Sequence, residues 1–199
     1  MAYFTKSEAR TAAARSRSLQ KSFGSTPRRI LNESVTAATA ADTFDVFLSH
    51  SITDAEIVLG IKQLLEESGL KVYVDWVEDA QLNRREVTKE TAAVLRQRMR
   101  QSRSLIYLSS DNSSSSKWMP WELGYFDGFK PDGVAIMPVL DSPTDAFKGQ
   151  EYLGLYPIVQ KDTYMDGTPD VFVEERGVRW STLKRFGSGQ PGWSQYGRR

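Results

Sequence analysis

Residues 44–50 read Phe44-Asp45-Val46-Phe47-Leu48-Ser49-His50. The run is short, apolar and rich in β-favouring side chains, which predicts a buried strand. A helix is expected next, from Asp54 to Ser68. Ile57, Ile61, Leu64 and Leu65 recur there at i, i+4, i+7 and i+8 and make one apolar stripe. Asp54 suits the N-cap, and Gly69 the position just past the end. Further along, Leu70–Trp76 predicts a second strand and Val77–Arg85 a polar loop. Val87, Thr91, Leu95 and Met99 mark a helix reaching Arg103, and Ser104–Ser109 a third strand. A serine-rich loop, Asp111–Lys117, leads into helical spacing over Trp118–Phe129, with Met119, Leu123 and Phe126 on one side. Val134–Leu140 predicts a fourth strand, and Tyr152–Val159 a fifth that Gly154 and Pro157 interrupt. Alternating strands and helices with short connections predict an α/β domain: a parallel sheet, helices on both faces, right-handed crossovers. Beyond residue 160 the pattern weakens to a short strand at Val171–Val173 and a short helix at Trp180–Phe186.

Composition narrows the chemistry. The 199 residues include no cysteine and one histidine. A disulfide scaffold, a thiol nucleophile and a Cys/His zinc site are therefore excluded. Any Ser-His-Asp triad would depend wholly on His50. An enzyme of this composition works with carboxylates, hydroxyls, backbone and aromatic surfaces. The net charge of +1 does not indicate a nucleic-acid binder. No apolar run approaches the roughly 18–20 residues that cross a bilayer. The absence of cysteine suits the reducing cytoplasm, which is the expected location.

Charge is unevenly spread. Residues 1–40 carry Lys6, Arg10, Arg15, Arg17, Lys21, Arg28 and Arg29 against Glu8 and Glu33, which leaves the remainder acidic. Ser7–Leu19 and Arg28–Val35 have helical character, separated by Gly24-Ser25-Thr26-Pro27, and Thr36–Thr43 resembles a linker. This arm reads as a transit peptide, as a surface for an acidic partner or membrane, or as a helical extension packed on the domain. The expected layout is a basic extension over residues 1–42, the α/β domain over 43–186 and a flexible, glycine-rich tail over 187–199.

In parallel α/β sheets, ligands bind at the carboxyl ends of the strands. Those ends carry Ser49-His50-Ser51, Asp75-Trp76 and Ser109-Ser110-Asp111. No GxGxxG follows the first strand, so a Rossmann cofactor site is not supported. The run Ser113–Ser116 has the composition of a phosphate cradle but lacks the glycines and lysine of a P-loop. Trp118-Met119-Pro120-Trp121-Glu122 is the most informative segment. Pro120 fits only the first turn of a helix, which puts Glu122 within or just after that turn, near the positive end of the macrodipole. A carboxylate beside Trp118 can hold sugar hydroxyls and stabilise positive charge. The competing reading is that Glu122 caps its helix and both tryptophans are core.

Taken in order, these segments resemble Toll/interleukin-1 receptor (TIR) domains over residues 43–160. Phe44–His50 resembles the family's first box, and Asp54 and Lys71–Trp76 also fit it. Ser116-Lys117-Trp118 with Glu122-Leu123 resembles the Ser-x-Trp-x-x-x-Glu-Leu stretch of enzymatic members. The whole chain looks most like stand-alone bacterial TIR proteins. The resemblance implies a flavodoxin-like fold with a five-stranded parallel sheet and helices on both faces. It further implies cleavage of NAD+ at the nicotinamide–ribose bond, with ADP-ribose in some members rejoined to itself as a cyclic messenger in Thoeris-like antiviral defence. Glu122 then matches the catalytic residue, Trp118 helps shape the site, and Ser49, His50, Ser51 and Trp76 are substrate-contact candidates. NAD+ is a substrate on this reading, with no cofactor or metal demanded. Self-association and a downstream effector that senses the product are the implied partners.

The sequence departs from the family in places: Pro120 and Trp121 sit where other members vary, though they leave the register of Trp118 and Glu122 intact. Val77–Val87 occupies the place of the BB loop but has no glycine or proline and carries Arg84-Arg85-Glu86, which gives less support to an adaptor role. A non-catalytic TIR interaction module and a deoxyribosyltransferase-like nucleoside enzyme stand as the alternatives.

Overall fold

The computed structural model describes residues 1–19, 26–39, 41–75 and 88–196. Among them, nine strands form one sheet. Its centre is parallel: β3 (Val72–Val74), β2 (Phe44–Ser49), β4 (Ser102–Ser109), β5 (Val134–Leu140) and β6 (Ile158–Thr163), in that spatial order. Three antiparallel strands extend the sheet beyond β6: β7 (Pro169–Glu175), β8 (Arg179–Thr182) and β9 (Ser194–Gln195). The five expected parallel strands are thus present within a larger, mixed sheet.

Side-chain alternation assigns the two faces. Val46 and Leu48 of β2, with Ile106 and Leu108 of β4, point into one apolar layer beneath α1 (Lys6–Leu19), α2 (Pro27–Thr36), α3 (Ala55–Glu67) and α6 (Leu183–Gly187). Phe47, Leu105 and Tyr107 point into the other, beneath α4 (Lys89–Arg100) and α5 (Met119–Phe129). Ile57, Ile61 and Leu65 of the α3 stripe are buried and Leu64 is partly buried, and Gly69 ends the helix with a φ of +81°.

Several boundaries differ from expectation, beginning with the helix expected to reach Arg103, which ends at Arg100 and gives way to β4 at Ser102. Residues 151–155 form a 3-10 turn, and β6 begins only at Ile158, because Gly154 and Pro157 interrupt pairing there. Trp180 lies in β8, and the last helix starts after Thr182, whose hydroxyl caps it. The tail carries β9, and Trp193 packs edge-on against Phe186.

The arm is woven into the domain. β1 (Phe4–Thr5) pairs in parallel with Val139 and Leu140 of β5, and Ala2 exchanges two backbone hydrogen bonds with Lys161 of β6. Ala9, Ala12 and Ala13 of α1 are fully buried, and α1 packs on α3. Ile30 and Leu31 anchor α2, and burying Leu31 alone contributes roughly 2 kcal/mol. The arm's positive charge meets the domain's negative charge: Lys6 bridges Asp111 and Asp141, Arg10 and Arg17 face Glu56, and Arg15 pairs with Glu67. Each exposed pair is worth little, so the buried Ala9, Ala12, Ala13, Ile30 and Leu31 hold the arm in place.

Thr5 and Glu8 form a capping box at the start of α1. The Glu8 N–H donates to Thr5 Oγ1 at 3.2 Å, and the Thr5 N–H donates to Glu8 Oε2 at 2.8 Å. Burial pushes the Glu8 carboxyl up, but bonds from Lys161 and Thr5 more than offset it and hold the group below its ordinary 4.5. A depressed carboxyl stabilises the fold above its unfolded value, and that contribution is lost as pH falls through the folded value. Glu8→Gln is therefore expected to lower the urea midpoint at pH 7. Its difference from the parent should shrink steadily below pH 4.5; a constant difference would contradict the assignment.

Candidate active site

β2 lies between β3 and β4, so the chain leaves β2 and β4 in opposite directions. The loop after β2 leads to α3 on one face, and the loop after β4 leads to α5 on the other. A crevice opens where such loops diverge. Ser49 ends β2, and Trp118 immediately precedes α5 with Pro120 in its first turn. The Glu122 N–H donates to the Trp118 carbonyl at 2.8 Å, which closes that turn and orients the glutamate.

The Glu122 side chain reaches across the crevice to the end of β2. Ser49 Oγ donates to Glu122 Oε2 at 2.6 Å, the length of a charge-assisted hydroxyl–carboxylate bond. Glu122 is 0% exposed and Ser49 1%. A carboxylate so deeply placed is costly unless it is hydrogen-bonded, and both this bond and the helix N-terminus oppose that cost. Tyr107 of β4 lies close by. Burial above all, with Tyr152 and the Glu122 charge adding, pushes its hydroxyl well above the ordinary tyrosine range. Sequence reading missed Tyr107 and Tyr152; the available signal for Tyr107 was a phenol set between Ile106 and Leu108 in the apolar middle of its strand.

The other candidates fall as follows. His50 is buried, and its Nδ1 lies 2.8 Å from the Leu48 carbonyl. A carbonyl only accepts, so Nδ1 carries a proton. The ring therefore turns back to its own strand and is not among the residues lining the adjoining cavity. Ser51 and Trp118 both line that cavity, of about 360 Å3, together with Thr53, Ser115, Ser116 and Lys117. Asp75 is buried at the end of β3. Trp76 and the Val77–Val87 loop lie outside the described residues. Asp54 sits at the N-cap of α3 without a side-chain cap bond. It accepts instead from Ser110 Oγ and, at 2.6 Å, from Asn112 Nδ2, and so ties the two crevice loops together.

Among the described residues, no helix is long and apolar enough to cross a membrane. Comparison with known proteins agrees with the fold. The TIR domain family matches residues 46–167, a stretch that contains both Ser49 and Glu122. The chain is 48% identical over 159 residues to a protein of Bacillus cereus (strain MSX-D12) named probable 3' cyclic ADP-D-ribose synthase ThsB'. That match covers 77% of this chain and 82% of the relative. It is also 35% identical over 83 residues to a putative cyclic ADP-D-ribose synthase, TIR2, of Cytobacillus dafuensis, covering 41% of this chain and 22% of that longer protein. A sheet in flavodoxin-like order, a carboxylate at its switch point and a family match over most of the domain lead to one conclusion: this chain belongs to the TIR domain family.

Proposed function

We propose that this protein breaks the nicotinamide–ribose bond of NAD+ and releases a cyclic ADP-ribose. The observation that carries the reading is the buried Ser49–Glu122 pair at the switch point, within the family-matched stretch. The nicotinamide of NAD+ leaves as a neutral base with the electron pair of the C–N bond, so no strong general acid is needed. Positive charge develops on the ribose as in glycoside cleavage. The Glu122 carboxylate meets that charge and engages the ribose hydroxyls, Ser49 holds it in orientation, and Trp118 walls the site. Capture of the ribose carbon by a hydroxyl of the same ADP-ribose closes a ring and releases a proton. Capture by water gives linear ADP-ribose. NAD+ is the substrate, and the scheme calls for no metal or separate cofactor.

Ser51 and Trp76 serve as substrate contacts on this reading, while His50, bonded back to the Leu48 carbonyl, supports the loop that carries Ser51. The names of the two relatives support a cyclic product. The product would act as a messenger for a separate effector in cytoplasmic antiviral defence, with self-association assembling the working form. Incubation of concentrated protein with NAD+, followed by mass spectrometry, tests the proposal. Free nicotinamide with a product one water lighter than ADP-ribose is expected. Linear ADP-ribose alone would remove the cyclase assignment, and intact NAD+ would remove the reaction.

A further inference from the structure

We infer that the cavity beside Glu122 seats the diphosphate of the substrate, and that Arg28, from the N-terminal arm, is one of the groups that hold it; this rests on the NAD+ reading above. The cavity is lined by two cations, Arg28 and Lys117, and by the hydroxyl-bearing residues Ser51, Thr53, Ser115 and Ser116. Among the described residues that line it there is no carboxylate. That combination suits a compact polyanion, and arginine is the side chain whose fork matches phosphate oxygens in pairs.

Position decides which part of the substrate belongs there. Ser51 lies two residues past Ser49, the donor to Glu122, and Trp118 supplies the carbonyl that closes the turn at Glu122. The cavity therefore adjoins the carboxylate without containing it. In NAD+ the diphosphate lies one ribose away from the scissile bond, which requires the same relation between anion site and catalytic group.

Arg28 stands at the cavity, whereas the arm's other described cations lie on the domain surface or within α2. Lys6, Arg10, Arg15 and Arg17 face carboxylates of the domain surface, and Arg29 pairs with Glu33 at 2.9 Å within α2. Arg28 lines the cavity. Ile30 and Leu31, buried against the domain, hold α2 in place and so define where Arg28 arrives. The serine loop lacks the lysine and glycines of a P-loop; its positive charge comes from the adjacent Lys117 and from a helix far upstream.

Arg28→Gln, Arg28→Lys and the control Arg29→Gln test the inference in two assays. In NAD+ turnover, Arg28→Gln should raise KM about tenfold with kcat within about twofold. Arg28→Lys should recover part of the loss, and Arg29→Gln should match the parent. In direct binding, measured in a Glu122→Gln background, Arg28→Gln should weaken ADP-ribose about tenfold and leave nicotinamide riboside, which has no diphosphate, unchanged. Arg28 is exposed, and circular dichroism of each variant verifies folding. Unchanged ADP-ribose affinity, or equal weakening of both ligands, would overturn the inference. A parent that leaves NAD+ intact would refute the proposed reaction, while the ADP-ribose comparison would still decide the role of Arg28.

Discussion

A Glu122→Gln protein is expected to fold like the parent and to cleave NAD+ slower by on the order of 10³-fold, the scale of losing one preorganised electrostatic contact to a transition state. The substitution keeps the shape and leaves a carbonyl oxygen that can accept from Ser49 Oγ, where the parent bond is 2.6 Å. It removes the charge that meets the developing oxocarbenium ion. The loss should therefore fall on kcat, with NAD+ binding little changed. Ser49→Ala is expected to lose less, because the carboxylate stays and only its orientation relaxes. In a double variant the two losses should not add, since Ser49 acts through Glu122. Full turnover by Glu122→Gln at normal stability would end the catalytic assignment.

Gly60→Ala should be the most damaging small substitution for stability. In an ordinary helix interior, alanine for glycine gains about 1 kcal/mol. Here a Cβ would stand 1.8 Å from the Ala9 carbonyl oxygen and 2.5 Å from its carbon. Both are backbone atoms of α1, so no side chain can rotate away and the helices must separate. Overpacking typically costs about 1–3 kcal/mol, and a backbone clash that no rotamer relieves belongs at the upper end, about 3 kcal/mol, which outweighs the propensity gain. A net loss of about 2 kcal/mol and a Tm lower by about 5 °C are expected. Gly124→Ala is the internal control. Gly124 lies in α5, and a Cβ there would meet nothing within 4 Å, so alanine should stabilise by about 0.5–1 kcal/mol. Equal Tm for Gly60→Ala and the parent would show that α1 is not seated closely on α3. Displacing α1 also loosens Lys6 from Asp111 and Asp141, which follow β4 and β5, so activity should fall along with stability.

Much of the parallel core was readable because its signals are local. Phe44–Ser49 is mostly apolar, with Asp45 its one interior polar residue. The Ile57–Leu65 stripe has the helical period, and Pro120 permits only a helix start, which placed Glu122. Where local signals conflicted, the reading slipped. Gly154 and Pro157 blurred the start of β6, and Trp180 sits where a strand passes into a helix. A two-residue strand such as β1 has no period to detect, and the capping box of Thr5 and Glu8 that follows it went unread.

The order of the elements, the type of each central one and the identity of the carboxylate at the head of α5 follow from neighbours in the chain, because helix period, strand alternation and proline geometry act over a few residues. The partners of those groups lie far apart in sequence. Ser49 reaches Glu122, Ala9 meets Gly60, and Arg28 joins the serine loop only once the sheet has folded and the arm has docked. Such contacts depend on the three-dimensional path of the chain, which no local periodicity encodes. The uneven charge of the arm, open to three readings as a composition, became a set of defined ion pairs for the same reason.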